Sequence, residues 1–267
     1  MGPTSEISDV PDTPTVDWAS APRVAEGEWM GRFGGATWRS CPLGIFLKGE
    51  GDERPAEPER TPGPPTTTRA VCDLFGPHLV ETACRWDIPP EILVMVVATE
   101  AGMFREVGFT GPLTFRWEAH VKVRDVEPSF RGDYSFGPMQ TLAGTARRVA
   151  RSQELGLDPM TTFPALRERP NIAVEDLPGY EAKISLAVGG AVIADGLHRT
   201  GLDPILIAAR YNAGGLYDAS SPTSRFHNRW HLRVCGNHLD RAARWFGDAC
   251  AVVGELRKQK PSRSERL

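Results

Sequence analysis

What this chain lacks narrows its function before any motif is read. No run of residues is long and apolar enough to cross a bilayer, so no membrane span is expected. The N-terminal "MGPTSEISDVPDTPTVDW" has neither a positively charged start nor an apolar stretch, so no secretory signal peptide is expected. That predicts a soluble product made in the cytoplasm, which would need another route to act outside it. The five cysteines, Cys41, Cys72, Cys84, Cys235 and Cys250, are odd in number, widely spaced and without a CxxC pair, which argues against a zinc site or a dense disulfide framework. Cys72, Cys84 and Cys250 fall on expected helices and read as buried thiols, with a single disulfide the minority reading. Neither sign of charge dominates: the net charge of -3 gives no overall attraction to nucleic acid, and none is expected as a partner. There is no fixed-period repeat.

What is present is enough for a full core. A chain of 267 residues with 40% hydrophobic side chains can bury one large domain, with or without an extension. Residues 1–48 carry Trp18, Trp29 and Trp38 among glycines and small residues, and read as a small irregular or β-rich N-terminal extension. Residues 49–69, within "KGEGDERPAEPERTPGPPTTTR", are charged and proline-rich and read as an extended linker. On that reading a chain starting near Thr66 would fold alone. Residues 70–257 form the main domain, and residues 258–267 read as a disordered tail.

In the main domain helical patterns dominate. Val71, Phe75, Leu79 and Ala83 recur at helical spacing, with a kink or split expected at Gly76-Pro77. "PPEILVMVVATEAG" opens on prolines suited to a first turn, runs through a wholly apolar segment and stops at Gly102. Further helices are expected over 141–154, 180–199, 204–211 and 238–257, with Gly189 and Gly190 admitting close helix packing. In the last helix Leu239, Ala242, Ala243 and Phe246 should face inward and the arginines out. Leu113, Phe115 and Trp117 alternate as in a strand. The expected fold is mainly α with a small β-ribbon.

The chemistry centres on Glu100. A carboxylate closing the apolar run "ILVMVVAT" is placed where partial burial favours its protonated form, which a general acid requires. Taken alone it reads sooner as a helix-end glutamate facing solvent, because surface glutamates are far commoner than catalytic ones. The loop "DYSFGPMQ" offers Gly137 for close approach and Gln140 as both donor and acceptor, or is simply a turn. His227, His231 and His238 have no acidic partner at ligand spacing, and neither a metal nor another cofactor is expected.

Three segments, "PPEILVMVVATEAG", "SFGPMQTLAGTAR" and "DPILIAARYNAGG", resemble in sequence order the helix-glutamate, GLMQ and AYN motifs of the lytic transglycosylase and goose-type lysozyme superfamily, over about Ala70 to Asp218. "RWEAHVKVRD", with Glu118 and His120, resembles the FExH signature of N-acetylmuramidase domains of phage endolysins. The resemblance implies a lysozyme-like domain that cuts the β-1,4 bond between N-acetylmuramic acid and N-acetylglucosamine, with Glu100 as general acid. It implies a glycan groove lined by Ser135, Phe136, Gly137, Met139, Gln140, Tyr211 and Asn212, the Tyr211 hydroxyl turned towards Glu100. It also implies a muramidase before a transglycosylase, with Asp133, preferred slightly over Glu118, as the second carboxylate. Peptidoglycan strands are the expected partner, reached after phage lysis or secretion-system delivery. Ala101, Pro138 and Arg210 depart from the family's usual serine, leucine or tryptophan, and alanine. The competing readings are a glycan-binding or phage-tail protein that has kept the fold, and another helical glycosidase such as a chitinase.

Overall fold

The computed structural model describes residues 16–31, 35–48, 57–101, 114–116, 135–155, 171–173, 179–216, 228–234 and 237–259. Three antiparallel strands come first: β1 (Met30–Gly31), β2 (Thr37–Cys41) and β3 (Gly44–Leu47), in the order β1-β2-β3. Helices α1 (Thr66–Trp86) and α2 (Pro90–Ala101) follow. Short strands β4 (Thr114–Arg116), β5 (Ser135–Phe136) and β6 (Thr141–Leu142) precede α3 (Ala143–Ser152), and β7 (Asn171–Ala173) precedes α4 (Gly179–Ala194). The chain then forms α5 (Leu197–Thr200), α6 (Pro204–Ala213) and α7 (His238–Leu256). The fold is mainly α.

Helix α2 is the centre of the core. Every residue from Ile92 to Ala98 is at most 2% exposed, because this helix packs between α1 and α7 and has no solvent face. Full burial of each large side chain there contributes roughly 1.5–3 kcal/mol against the entropy of ordering it. Around it, α1 presents Val71, Phe75, Leu79 and Ala83 inward at the expected spacing. It is not split at Gly76-Pro77: one helix runs from Thr66 to Trp86 with Pro77 inside it. Gly76 lies under Val16 and Trp18, where a β-carbon would come within 3.1 Å of Val16 Cγ2, so tertiary packing holds the weakened turn. The helix stops at Asp87, whose left-handed backbone (φ 52°) returns its N–H to the Ala83 carbonyl.

Gly190 does what its position inside α4 suggests. A β-carbon there would lie 2.4 Å from Thr82 Cγ2 and 2.8 Å from Trp86 Cδ1, so only glycine lets α4 approach α1 this closely. On α7, Leu239, Ala242, Ala243 and Phe246 are buried as expected. The arginines do not all face out: Arg241 is only 8% exposed and donates to the Thr99 carbonyl of α2. Cys72 and Cys250 are buried, as expected, whereas Cys84 is exposed.

The first strands are not held apart from the helices. Trp38 and Ile45 are fully buried and Trp18 nearly so, in the same apolar cluster as α2 and α7. The Trp38 ring meets Trp230 edge-on at 5.4 Å, and its indole N–H donates to Asp203 Oδ2 at 2.9 Å. The stretch expected as a linker over 49–69 is, in its described part, pinned: Glu59 N–H donates to the Ile45 carbonyl at 2.8 Å and Arg60 to the Gly247 carbonyl at 2.6 Å. Thr61 pairs with Asp248, and residues 66–69 are already the first turn of α1. Of the expected tail, residues from 260 on lie outside the described residues.

Candidate functional site

Glu100 sits at the last turn of α2, where the apolar helix reaches the surface, and its side chain is 20% exposed. Beside it lies a cavity of about 190 Å³ lined by Glu100, Gln140, Thr141, Leu142, Thr145, Val192, Tyr211 and Asn212. Glu100, Gln140, Tyr211 and Asn212 come from three separate segments of sequence, and the fold brings all four to one wall. Glu100 is the carboxylate among the cavity's described lining residues.

The loop that carries Gln140 is built tightly for an internal reason. Residues 137–140 connect β5 to β6 as a two-strand ribbon, with Ser135 opposite Leu142 and Phe136 opposite Thr141. Gly137 has φ 62° and lies so close to α4 that a β-carbon would come within 2.4 Å of Ser185 Oγ. The Ser185 hydroxyl also accepts from Met139 N–H at 3.3 Å. Met139 is fully buried, with its side chain over Gly189. Gly137 and Met139 therefore seat the loop on α4 and do not line the cavity, in contrast to the groove-wall role expected for them. Gln140 adopts φ 47°, uncommon for a residue with a side chain, and its amide donates back to the Gly137 carbonyl at 2.9 Å.

Tyr211 locks the same loop from α6. Its hydroxyl donates to the Met139 carbonyl at 2.8 Å and lies 2.8 Å from Thr141 Oγ1. With the tyrosine proton committed to Met139, Thr141 is the donor of the second bond. Burial pushes the phenol's pKa up, the bond from Thr141 opposes this, and the charge of Glu100 adds to the rise. The hydroxyl is thus within the field of Glu100, but its hydrogen bonds tie it to the loop. Asn212 is exposed at the cavity edge.

Helix α6 is fixed at both ends. Asp203 caps it by accepting from Leu206 N–H at 2.9 Å, Pro204 fills the first position, and Gly214 closes it with φ 69°. Arg210, which stands in the motif where alanine is usual, points away from the cavity wall. It donates to the Val192 carbonyl at 3.1 Å and to Asp195 Oδ2 at 3.0 Å, and Asp195 also accepts from Arg148 at 3.0 Å. Burial works against ionising Asp195, but the bonds from the two arginines outweigh it and hold the carboxyl below its ordinary value. Arg210 therefore cross-links α3, α4 and α6 behind the site.

The structure also adds a neighbour that motif reading misses. His238, the first residue of α7, places Nε2 3.8 Å from Glu100 Oε1 with its side chain 10% exposed. Burial, reinforced by the Arg241 charge, lowers its pKa to about 4, against a hydrogen bond to the Ala208 carbonyl that works the other way. At neutral pH the imidazole is uncharged. A signal was present, because His238 precedes the inward Ala242 by one helical turn and so shares its face. Among the described residues no group of three His, Cys, Asp or Glu side chains could hold a metal ion.

Asp133, Glu118 and His120 lie outside the described residues, as does His227. Ser135 and Phe136 are described only as backbone, in β5. The strand expected around Leu113, Phe115 and Trp117 is described at Thr114–Arg116, where it pairs with Asn171–Ala173. Among the described residues no helix is long and apolar enough to cross a membrane. Comparison of the chain with protein-family models, with curated proteins and with solved structures returns no match.

Proposed function

We propose that this chain is a lysozyme-like glycosidase that cleaves the peptidoglycan glycan strand between N-acetylmuramic acid and N-acetylglucosamine, with Glu100 as general acid. One observation carries the reading: Glu100, Gln140, Tyr211 and Asn212, four of the residues that the motif resemblance selects, line one cavity although they come from three separate segments of sequence. The environment of Glu100 suits the role. It ends a wholly buried helix, it is mostly shielded from water, and it faces an uncharged imidazole and a phenol whose proton is committed elsewhere. A general acid needs a carboxyl that keeps its proton until a leaving oxygen takes it.

In the proposed reaction the glycan lies across the cavity and Glu100 protonates the bridging oxygen as the glycosidic bond breaks through an oxocarbenium-like state. Gln140 and Asn212 offer the amide donors and acceptors suited to sugar hydroxyls and acetamido groups. Tyr211 acts one step removed, by fixing the loop that presents Gln140. Attack by water, positioned by Asp133 or Glu118, gives a reducing end and is the preferred outcome. Attack by the sugar's own hydroxyl gives an anhydro end and needs no second carboxylate.

The test is digestion of purified sacculi, with released muropeptides weighed by mass spectrometry. Wild-type protein should release disaccharide-containing fragments, and Glu100→Gln should fold normally yet lose the activity, because the amide keeps the shape and cannot give up a proton. Equal release by a folded Glu100→Gln protein would remove Glu100 from the mechanism. Strand binding without any release by the wild type would replace the enzyme with a glycan-binding protein of the same fold.

A further inference from the structure

Where α1 and α7 begin, a second cavity of about 450 Å³ opens, and it shares no lining residue with the Glu100 cavity. Thr66 and Thr67 line it from the first turn of α1, and Asn237, Arg241, Arg244 and Trp245 line it from the start of α7. The α7 residues stand at i, i+4, i+7 and i+8, so one stripe of that helix brings two guanidinium groups and an indole to the same space. The cavity's described lining residues include no carboxylate.

The backbone adds positive charge to the same place. Helix α1, 21 residues long, opens at Pro65 with no side-chain cap and no acid in its first turn. Helix α7, 19 residues long, opens at Asn237, again with no side-chain cap, and the acid of its first turn, Asp240, is taken up by Arg229 and the Trp230 indole. Each helix start therefore keeps a partial positive charge, about half an elementary charge, that no capping side chain answers. Of the two arginines, Arg241 is held in place by donating to the Thr99 carbonyl. Arg244 has Glu59 as its described ion-pair partner, at 4.0 Å, too far for a hydrogen bond, and the same Glu59 oxygen stands 3.9 Å from Arg229. Thr61, also in the wall, is already bonded to Asp248. An independent sign comes from Trp245, which is 4% exposed and whose buried indole N–H makes no hydrogen bond. Such a donor carries a desolvation cost that an acceptor brought into the cavity would offset.

We propose that this cavity binds a phosphate group carried on a small organic molecule, with the phosphate held by Arg241, Arg244 and the first turn of α1. Two guanidinium charges and two helix starts suit a dianion better than a singly charged carboxylate. The volume exceeds that of one phosphate ion and falls within the roughly 300–1,000 Å³ of small-molecule pockets, which leaves room for the body of the ligand. The Trp245 N–H is the donor left for an acceptor on that ligand. The assignment does not rest on the cleavage reading, because none of these residues lines the Glu100 cavity.

The probe is phenyl phosphate, titrated into the full chain at fixed ionic strength and at a pH of about 7.5, where the ester is largely a dianion. Nitrogen–proton correlation spectra follow the indole N–H signals, with that of Trp245 assigned by its loss in Trp245→Phe. The Trp245 signal should move along a saturable curve. Arg244→Gln should weaken binding about tenfold, the loss of one charge-assisted contact, whereas Arg199→Gln, at an exposed arginine on α5, should leave it within about twofold. No saturable shift at millimolar phenyl phosphate, or equal weakening by the two arginine variants, would overturn the proposal. Two further ligands decide the chemistry on wild-type protein alone, so the proposal stays open to refutation even if Arg244→Gln does not fold. Benzoate, with the same ring and a single charge, should bind about tenfold more weakly, and equal affinity would overturn the assignment to phosphate. Inorganic phosphate should bind at least about fivefold more weakly, since it forgoes the space beside the anion; equal or tighter binding would overturn the small-molecule part and leave a site for the free ion.

Discussion

Replacing Trp38 tests whether the first three strands belong to the same folding unit as the site. The side chain has no solvent exposure, its ring meets Trp230 edge-on at 5.4 Å, and its indole N–H reaches Asp203 Oδ2 at 2.9 Å. Trp38→Ala removes all of this and should cost about 3–5 kcal/mol, the usual range for deleting a buried aromatic. Trp38→Phe keeps a ring in the site and loses the hydrogen bond. Because Asp203 retains Leu206 N–H at 2.9 Å, its carboxylate is not stranded, and the loss should lie near the low end for bonds to charged groups, about 1.5 kcal/mol. The assay is urea denaturation at pH 7 followed by far-ultraviolet circular dichroism, which does not depend on the tryptophan removed. Both variants should unfold in one transition with an unchanged slope, the phenylalanine variant shifted down by about 0.5 M or more. A Trp38→Ala midpoint equal to wild type, or a separate early transition that leaves the helices intact, would show that the strands fold independently and that this account of the core is wrong.

Other outcomes follow from the same contacts. A chain starting at Thr66 should be insoluble or molten by circular dichroism and dye binding, since it uncovers Trp230, which Trp38 covers, and the face of α7 that β3 covers. Gly190→Ala should lower stability by about 1–3 kcal/mol in urea titration, because its new methyl would lie 2.4 Å from Thr82 Cγ2. Tyr211→Phe should cost about 1–2 kcal/mol and slow sacculus digestion, since it frees the Met139 carbonyl and the Thr141 hydroxyl that shape the Gln140 loop. His238 titrates below its ordinary value when folded, so its contribution is complete above about pH 6.5 and is lost as pH falls towards about 4, up to about 3 kcal/mol. Glu91 and Asp248 are shifted upward and act in the opposite sense, so the effect is read as the difference between wild type and His238→Phe in acid unfolding.

Where local pattern decides structure, the sequence is a good guide. The wholly apolar Ile92–Ala98 stretch can only be a helix with no solvent face, and it is. Gly189 and Gly190 in the middle of a helix signal close approach, and each is filled by a neighbour, Met139 and Thr82. Local pattern fails where tertiary packing outweighs it. Gly76-Pro77 should break a helix, but burial against Val16 and Trp18 holds α1 together. Arg241 should face water, but a carbonyl near the end of α2 gives its guanidinium a buried partner. The charged, proline-rich stretch before α1 has almost no apolar surface of its own, and its composition cannot reveal that the backbone and side chains of Glu59, Arg60 and Thr61 bond to β3 and α7.

The site divides along the same line. Glu100, Gln140, Tyr211 and Asn212 were legible because each sits in a short motif, and the fold needed only to bring three segments together. His238 was not legible as a site residue, because its part depends on where α7 crosses α2 and no spacing within α7 encodes that crossing. The crossing is set by apolar packing of Leu239, Ala242, Ala243 and Phe246, and α7 is in turn backed by β3, Arg60 and Thr61. At the other side Trp38 bonds Asp203, the cap of the helix that ends in Tyr211 and Asn212. One contact from the first strands thus reaches α6, which supplies a wall of the cavity, and another reaches α7, which packs on α2. Trp38→Phe, which leaves every cavity residue in place, should therefore lower the exchange protection of α6 amides near Leu206. Protection of α6 equal to wild type in Trp38→Phe would confine Trp38 to the core and leave the cavity to be organised by the helices alone.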